Sequence, residues 1–336
     1  MNTSRGARAV TDPSVLHVGE AAGTARQLLD EAHRRGLRWD HLPLADPDLG
    51  WPGPLAGAQR GARGVSWLVR LRMLASRRDI VHIHSAATFG HSRYAVRRFV
   101  LHCHGTDVRT AQYEPGLGPV VRAALQIAER VLYSTPDLAE HVLGRRADAT
   151  YFPVPIEVGR LPLWSRPTRP RVVFASRWEA VKGLERQLGV ARSLRAALGE
   201  GAQIVGLDWG PAAAEARAAG VELVPRLGHA AYLGWLAGAT AVIGQASGIL
   251  SASELEALGT GAPLLLPVPL PLYAEDPPPV LGHDIESVVE IARSLVVGAP
   301  HDAAAGHAWV ERVHGTGQAV DTLCSLYADV LATRDR

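Results

Sequence analysis

Two kinds of segment alternate along this chain. Short apolar runs of strand type are separated by longer stretches in which apolar residues recur every three or four positions. In the first half the strand-like runs are "VLHVG" (15–19), "WDHLPL" (39–44), "DIVHIH" (79–84), "FVLHCH" (99–104) and "RVLYST" (130–135). Helical periodicity fills gaps between them, as in "TARQLLDEAHRRG" (24–36) and "GPVVRAALQIAER" (118–130). Five prolines then interrupt the pattern over 152–170, as expected of a connection between domains. The alternation restarts with "RVVFAS" (171–176), "AQIVGL" (202–207), "VELVPR" (221–226), "TAVIGQ" (240–245) and "PLLLP" (263–267). A helical segment over roughly 304–333 closes the chain, its "TLCSLYADVL" carrying an apolar stripe. The pattern predicts an α/β fold of two doubly wound, Rossmann-like units in tandem. The expected division is a disordered tail over 1–13, a first domain over 14–157, a linker over 158–170 and a second domain over 171–315.

Composition narrows the classes. A length of 336 residues suits two domains, and 47% apolar residues supply two cores. The net charge of +2, from arginines scattered along the chain, gives no basic footprint for nucleic acid. Cys103 and Cys324 are the only cysteines, too few for a disulfide framework, which points to a reducing compartment and a cytoplasmic location. No apolar run reaches the ~18 residues of a membrane span.

Ligands of open parallel sheets bind beyond the carboxyl ends of the strands, so the loops there hold the candidate chemistry. After the first strand, Gly19 and Gly23 in "HVGEAAGTARQ" allow a tight turn and close approach of a ligand, without the spacing of a dinucleotide fingerprint. Histidines pair as His82 and His84 in "HIHS" and as His102 and His104 in "HCHGTD". The strand period puts each pair on one face. Packing beneath covering helices suits His82 and His102. His104, last before "GTD", is the one expected at a binding site, with Asp107 capping the next segment. Neither these histidines nor "DPD" (46–48) has ligands in a known metal spacing, and no metal is expected.

The second unit carries the stronger signal. "SRWEAVKG" sets Arg177 and Lys182 five apart before Gly183, with both cations expected in the first turn of a helix. The dipole there disfavours cations, and a phosphate group would resolve the conflict. "GQASGILSASELEALGTGAP" (244–263) places a small-residue loop before a helix starting near Ser251. Glu256 falls in the second turn, within reach of ligand hydroxyls. Glu254 lies about 200° around the helix, so the two cannot serve one site.

Together these segments resemble glycosyltransferase family four, with the GT-B fold. "SRWEAVKG" is similar to that family's diphosphate clamp, "SELEALGTGAPL" to its glutamate helix and "HGTD" to its histidine turn. "WVERVHGTGQAVDTLCSLYADVL" is similar to its closing helix, which would return over 316–334 to complete the first domain. The resemblance implies two domains facing across a cleft. It also implies a retaining, metal-independent transfer from a uridine or guanosine diphosphate sugar, with no cofactor. The acceptor is unidentified: a small molecule, a glycan or a lipid-linked chain reached by peripheral membrane contact. Arg177 and Lys182 would bind the diphosphate, Glu256 the ribose and the loop around Pro225 and Arg226 the base. His104 would lie near the donor sugar and the reacting centre, a catalytic residue with Arg177 and Lys182, and Gly19 and Gly23 would face the phosphate or acceptor side. The family's second glutamate, which contacts the sugar, is replaced by Gly248. Gln245, Ser247 and the N–H groups of Ile249 and Leu250 are its expected substitutes. That departure keeps two alternatives open: a catalytically degenerate nucleotide-sugar-binding protein acting with a partner, and a nucleotide-sugar epimerase of the same fold. The acceptor loop is expected over 49–61.

Overall fold

The computed structural model describes residues 12–44, 56–334 and 336, with backbone alone over 56–60. Residues 1–11 of the expected tail, the "DPD" stretch and residues 49–55 of the expected acceptor loop lie outside the described residues. The chain forms two compact units. Of the described residues, the first comprises those up to 134, 138–152 and those from 317 on; the second comprises 135–137 and 153–316.

The first unit holds strands β1 (Val15–Val18), β2 (Trp39–Leu42), β3 (Ile80–His84), β4 (Val100–Cys103), β5 (Arg130–Tyr133) and β6 (Thr150–Tyr151). They form one sheet in the order β2-β1-β3-β4-β5-β6, with parallel pairing throughout. Helices α1 (Thr24–Arg34), α2 (Ala56–Ala75), α3 (Phe89–Ser92), α4 (Thr106–Arg109), α5 (Gly118–Ile127) and α6 (Ala139–Val142) connect them. Parallel strands are covered on both faces, which explains why their sequences read as continuous apolar runs.

Helix α2 lies where glycine and proline predicted a loop, and residues 56–61 of the expected acceptor loop are helical. Burial outweighs the weak helix propensity of its glycines. Leu71 is fully buried, and Trp67, Leu68 and Leu74 pack with it at helical spacing against the first core.

The second unit holds β7 (Arg171–Phe174), β8 (Gln203–Leu207), β9 (Glu222–Val224), β10 (Ala241–Ile243) and β11 (Leu264–Leu265). Their order is β11-β10-β7-β8-β9, again parallel. Its helices are α7 (Leu184–Leu198), α8 (Ala213–Ala218), α9 (His229–Ala237), α10 (Ala252–Thr260), α11 (Ile285–Val296) and α12 (Ala303–His314). Residues 158–170, read from their prolines as a linker, lie along this unit. The Trp164 indole donates to Ala239 O at 2.7 Å and the Arg166 guanidinium to Leu295 O at 2.7 Å.

The closing segment is two helices, not one. Gly315 separates α12 from α13 (Thr316–Arg334), and the Ile156 N–H donates to His314 O at the break. Helix α13 packs on the first sheet through Val320, Leu323, Tyr327 and Val330, which share a core with Val15, Ile80 and Val100. No helix among the described residues is long and apolar enough to cross a membrane.

Candidate functional site

A doubly wound sheet has a crevice where successive strands leave in opposite directions, and ligands bind there beyond the strand ends. In the second unit that point lies between the paired strands β7 and β10. The loops leaving these two strands are "ASRWEAVKG" and "GQASGILS", the two stretches that sequence reasoning selected.

The first of them departs from expectation in one respect. Arg177 and Lys182 are not in the first turn of α7. Lys182 ends a short 3-10 turn (Ala180–Lys182), and the helix begins at Leu184. Gly183 separates them at φ 72°, a left-handed conformation that breaks the helix and favours glycine. The cations therefore stand ahead of the helix N-terminus rather than in its first turn.

Backbone contacts lock the loops together. The Ala246 N–H donates to Lys182 O at 2.9 Å, and the Gln187 side-chain amide donates to the same carbonyl at 2.6 Å. The Ser176 hydroxyl donates to Gln187 Oε1 at 3.3 Å, so this buried glutamine ties both ends of the loop. A Cβ on Gly183 would meet Ala246 O at 2.5 Å, so only glycine fits where the loops touch. Trp178 is fully buried and anchors the segment from below. Its indole donates to Leu207 O at 3.0 Å and its N–H to Trp209 O at 2.9 Å. Arg177, half-buried, forms an ion pair with Glu179.

The second loop is organised by Glu254. This buried carboxylate accepts from Ser251 N at 2.9 Å, the Ser251 hydroxyl at 2.5 Å and Gln245 N at 3.1 Å. It completes a capping box on α10, which accounts for the acid that geometry had set apart from Glu256. Gln245 turns inward, its amide donating to Ile249 O at 3.0 Å. The Leu250 N–H donates to the Tyr273 hydroxyl at 3.1 Å. Both are thus engaged within the protein, whereas Ser247 is exposed. Gly248 has φ 75°, with Pro269 O, at 3.9 Å, the nearest atom to a Cβ built there. A side chain has room at this position but not an easy backbone.

Glu256 is buried to 6% exposure, and its Oε1 lies 2.6 Å from Nε2 of the half-exposed His229. The Arg226 guanidinium lies 4.4 Å from the centre of the Trp209 ring and that of Arg177 lies 5.7 Å from it. These are cation–π contacts of two arginines with one aromatic ring. His229, Trp209, Gln187 and Tyr273 carried no motif of their own. Their roles arise from contacts across the sheet that spacing does not reveal.

In the first unit the switch point lies between β1 and β3. Gly19 (φ 81°) and Gly23 (φ 76°) shape the turn after β1, and a Cβ on Gly19 would meet His84 O at 3.2 Å. Glu20 accepts from the N–H groups of Ala25 and Arg26 at the start of α1, at 3.2 and 3.0 Å. Asp107 does not cap a following helix from outside. It is buried within α4, where its Oδ1 accepts from His104 N, Gly105 N and Val108 N and its Oδ2 from Ala86 N. His82 and His102 are fully buried, as packing beneath helices predicts, and His84 is buried with them. His104 keeps part of its surface open. Burial pushes its imidazole down to about 4, Asp107 partly opposing, and pushes His17 down to about 3. These rings are therefore neutral at neutral pH.

No protein-family model and no curated protein matches the chain. Solved structures do match its fold. AviGT4, a glycosyltransferase involved in avilamycin A biosynthesis, aligns with TM-score 0.60 at 19% identity, over 95% of this chain and 98% of its own. HepE of Anabaena, in complex with UDP-glucose, aligns with TM-score 0.67 at 12% identity, over 96% and 100%. A glycosyltransferase from Rickettsia africae aligns with TM-score 0.63 at 11% identity, over 95% and 99%. The fold is GT-B, with parallel sheets of six and five strands.

Proposed function

We propose that the chain is a glycosyltransferase that takes its sugar from a nucleoside diphosphate sugar and binds that donor on its second unit. The observation that supports the reading is the locked pair of loops at the β7–β10 switch point: Arg177 and Lys182 lie on the loop after β7, and Glu256 on the helix that follows the loop after β10. A uridine diphosphate donor is the first choice, because HepE, of like fold, has been solved with UDP and with UDP-glucose. Lys182 and Arg177 contact the diphosphate, Arg177 exchanging Glu179 for a phosphate oxygen. Glu256 takes the ribose hydroxyls, with His229 holding its carboxylate in place. The base lies by Arg226.

The transfer proceeds with retention and draws its leaving-group charge from these cations rather than from a bound divalent ion. Inversion needs a general base at the acceptor hydroxyl. Glu20 and Asp107, the carboxylates in the loops after β1 and β4, already serve backbone N–H groups. In a retaining transfer the departing phosphate oxygen accepts the acceptor proton on the face it leaves. The test is proton NMR of early product formed from a UDP-sugar, with and without added magnesium or manganese. We expect the donor's anomeric coupling in the product and an unchanged rate with metal. An inverted product, or a rate that requires metal, sinks the mechanism.

Glu256→Gln is expected to weaken binding of UDP and of the UDP-sugar alike, by roughly ten- to a hundredfold, since hydrogen bonds to charged groups contribute about 1.5–3 kcal/mol. Both ligands share the ribose. Calorimetry that finds normal affinity for both removes Glu256 from the site.

Gly248 favours a second reading, a donor-binding protein without turnover. It predicts UDP-sugar binding with neither transfer nor hydrolysis in the same NMR assay.

A further inference from the structure

Five histidines of the first unit, His17, His82, His84, His102 and His104, run in an unbroken series of ring contacts across the sheet. Adjacent ring centroids lie between 4.0 and 5.6 Å apart. Strand period and register explain the array: His17 pairs with His82 and His84 with His102. The faces of a doubly wound sheet are normally apolar, and His104 alone of the five belongs to a motif read as donor-side.

We propose that His84, His102 and His104 bind one divalent transition-metal ion, with zinc the best fit to the ligand type. Each residue offers a ring nitrogen within 4.8 Å of the other two. His84 Nδ1 and His104 Nε2 are 3.1 Å apart, close to the roughly 3.3 Å that two nitrogens span on a tetrahedral zinc. His102 completes the set, its ring centroid lying 4.0 Å from that of His104. Among the described residues, neither nitrogen of the fully buried His102 has a hydrogen-bond partner. A neutral imidazole always carries one N–H and one lone pair, so His102 buries an unmet donor and an unmet acceptor. Coordination satisfies the lone pair.

The surrounding groups suit a ligand set. His84 Nε2 lies 3.0 Å from His17 Nδ1. Donation of the Nε2–H to His17 leaves the His84 Nδ1 lone pair for the metal, the usual outer-shell arrangement of a ligating histidine. Asp107, hydrogen-bonded to the His104 backbone N–H, brings a carboxylate near the ion's charge. The partly open His104 provides a way in. The other trio, His17, His82 and His84, is fully enclosed, and its His82 Nδ1 is held by the Tyr327 hydroxyl at 2.6 Å. Three imidazoles select zinc, cobalt or copper over magnesium and calcium, and leave a fourth position for water. The site lies wholly in the first unit.

The test is titration of the full chain, freed of metal by a chelator, with cobalt(II). We expect one equivalent bound, ligand-field bands of four- or five-coordinate intensity, bleaching by zinc, and a zinc-dependent rise in thermal midpoint. His84→Gln and His102→Gln are each expected to lower cobalt affinity by more than about a hundredfold. His17→Phe should lower it by about ten- to a hundredfold, the range for an outer-shell partner. Zinc-edge X-ray absorption of the wild-type protein should report three imidazoles, which keeps the proposal testable if a variant does not fold. Absence of saturable cobalt binding by natively folded protein, a six-coordinate spectrum, or undiminished affinity in folded His102→Gln overturns it. UDP calorimetry on the same samples reads the donor site independently.

Discussion

Lys182→Ala should lose at least tenfold in turnover while the protein stays folded. The contacts that fix this position use the Lys182 carbonyl, which accepts from Ala246 N and from the Gln187 amide. Alanine keeps that carbonyl, so the two loops stay locked. What disappears is the ammonium, a compact point charge on a flexible stem. A hydrogen bond between charged groups contributes about 1.5–3 kcal/mol, equivalent to roughly ten- to a hundredfold. Charge builds on the diphosphate as the glycosidic bond breaks, so the loss falls more on kcat than on KM. Steady-state kinetics at saturating donor, with a thermal midpoint within a few degrees of wild type, checks both halves. An unchanged kcat/KM in the folded variant removes Lys182 from the diphosphate site.

The alternation of apolar runs and amphipathic stretches sufficed for two parallel sheets because a strand covered on both faces has little choice but to be apolar throughout. The 200° between Glu254 and Glu256 is likewise local geometry, and the two acids take separate roles: one caps its helix, the other meets His229. Reading failed where distant contacts decide. Nothing in "RWEAVKGLERQ" shows that Gly183 adopts a left-handed turn under Ala246, which moves Lys182 out of the helix. Helix α2 has several glycines and no acidic residue, and its identity comes from the core it covers. Trp209 gains meaning only when Arg177 and Arg226 are brought over its ring from two other loops. The histidines were visible as pairs, but their union required the register of three strands and Tyr327 from the last helix.

Gly183→Ala should do more damage than its single added methyl suggests. Two costs combine at this residue. The backbone sits at φ 72°, where an L side chain costs about 1–2 kcal/mol. The new Cβ would also lie 2.5 Å from Ala246 O and 2.7 Å from Ala246 Cβ. Neither atom is the end of a flexible chain, so backbone must move. Overpacking of this kind adds about 1–3 kcal/mol. Gly248→Ala separates the two costs. Its φ of 75° carries the same conformational penalty, but a Cβ there has nothing nearer than 3.9 Å. Gly248→Ala is therefore expected to lose only about 1–2 kcal/mol. The excess in Gly183→Ala measures the contact between the loops that leave β7 and β10. Relief of that clash must part Lys182 from Ala246, so UDP affinity should fall together with stability. In Gly248→Ala affinity should hold more nearly to wild type. Denaturant midpoints and UDP calorimetry on both variants decide the matter. If the two alanine variants are equally stable and bind UDP equally well, the loops are not locked at Gly183, and the geometry that presents Lys182 to the diphosphate has another origin.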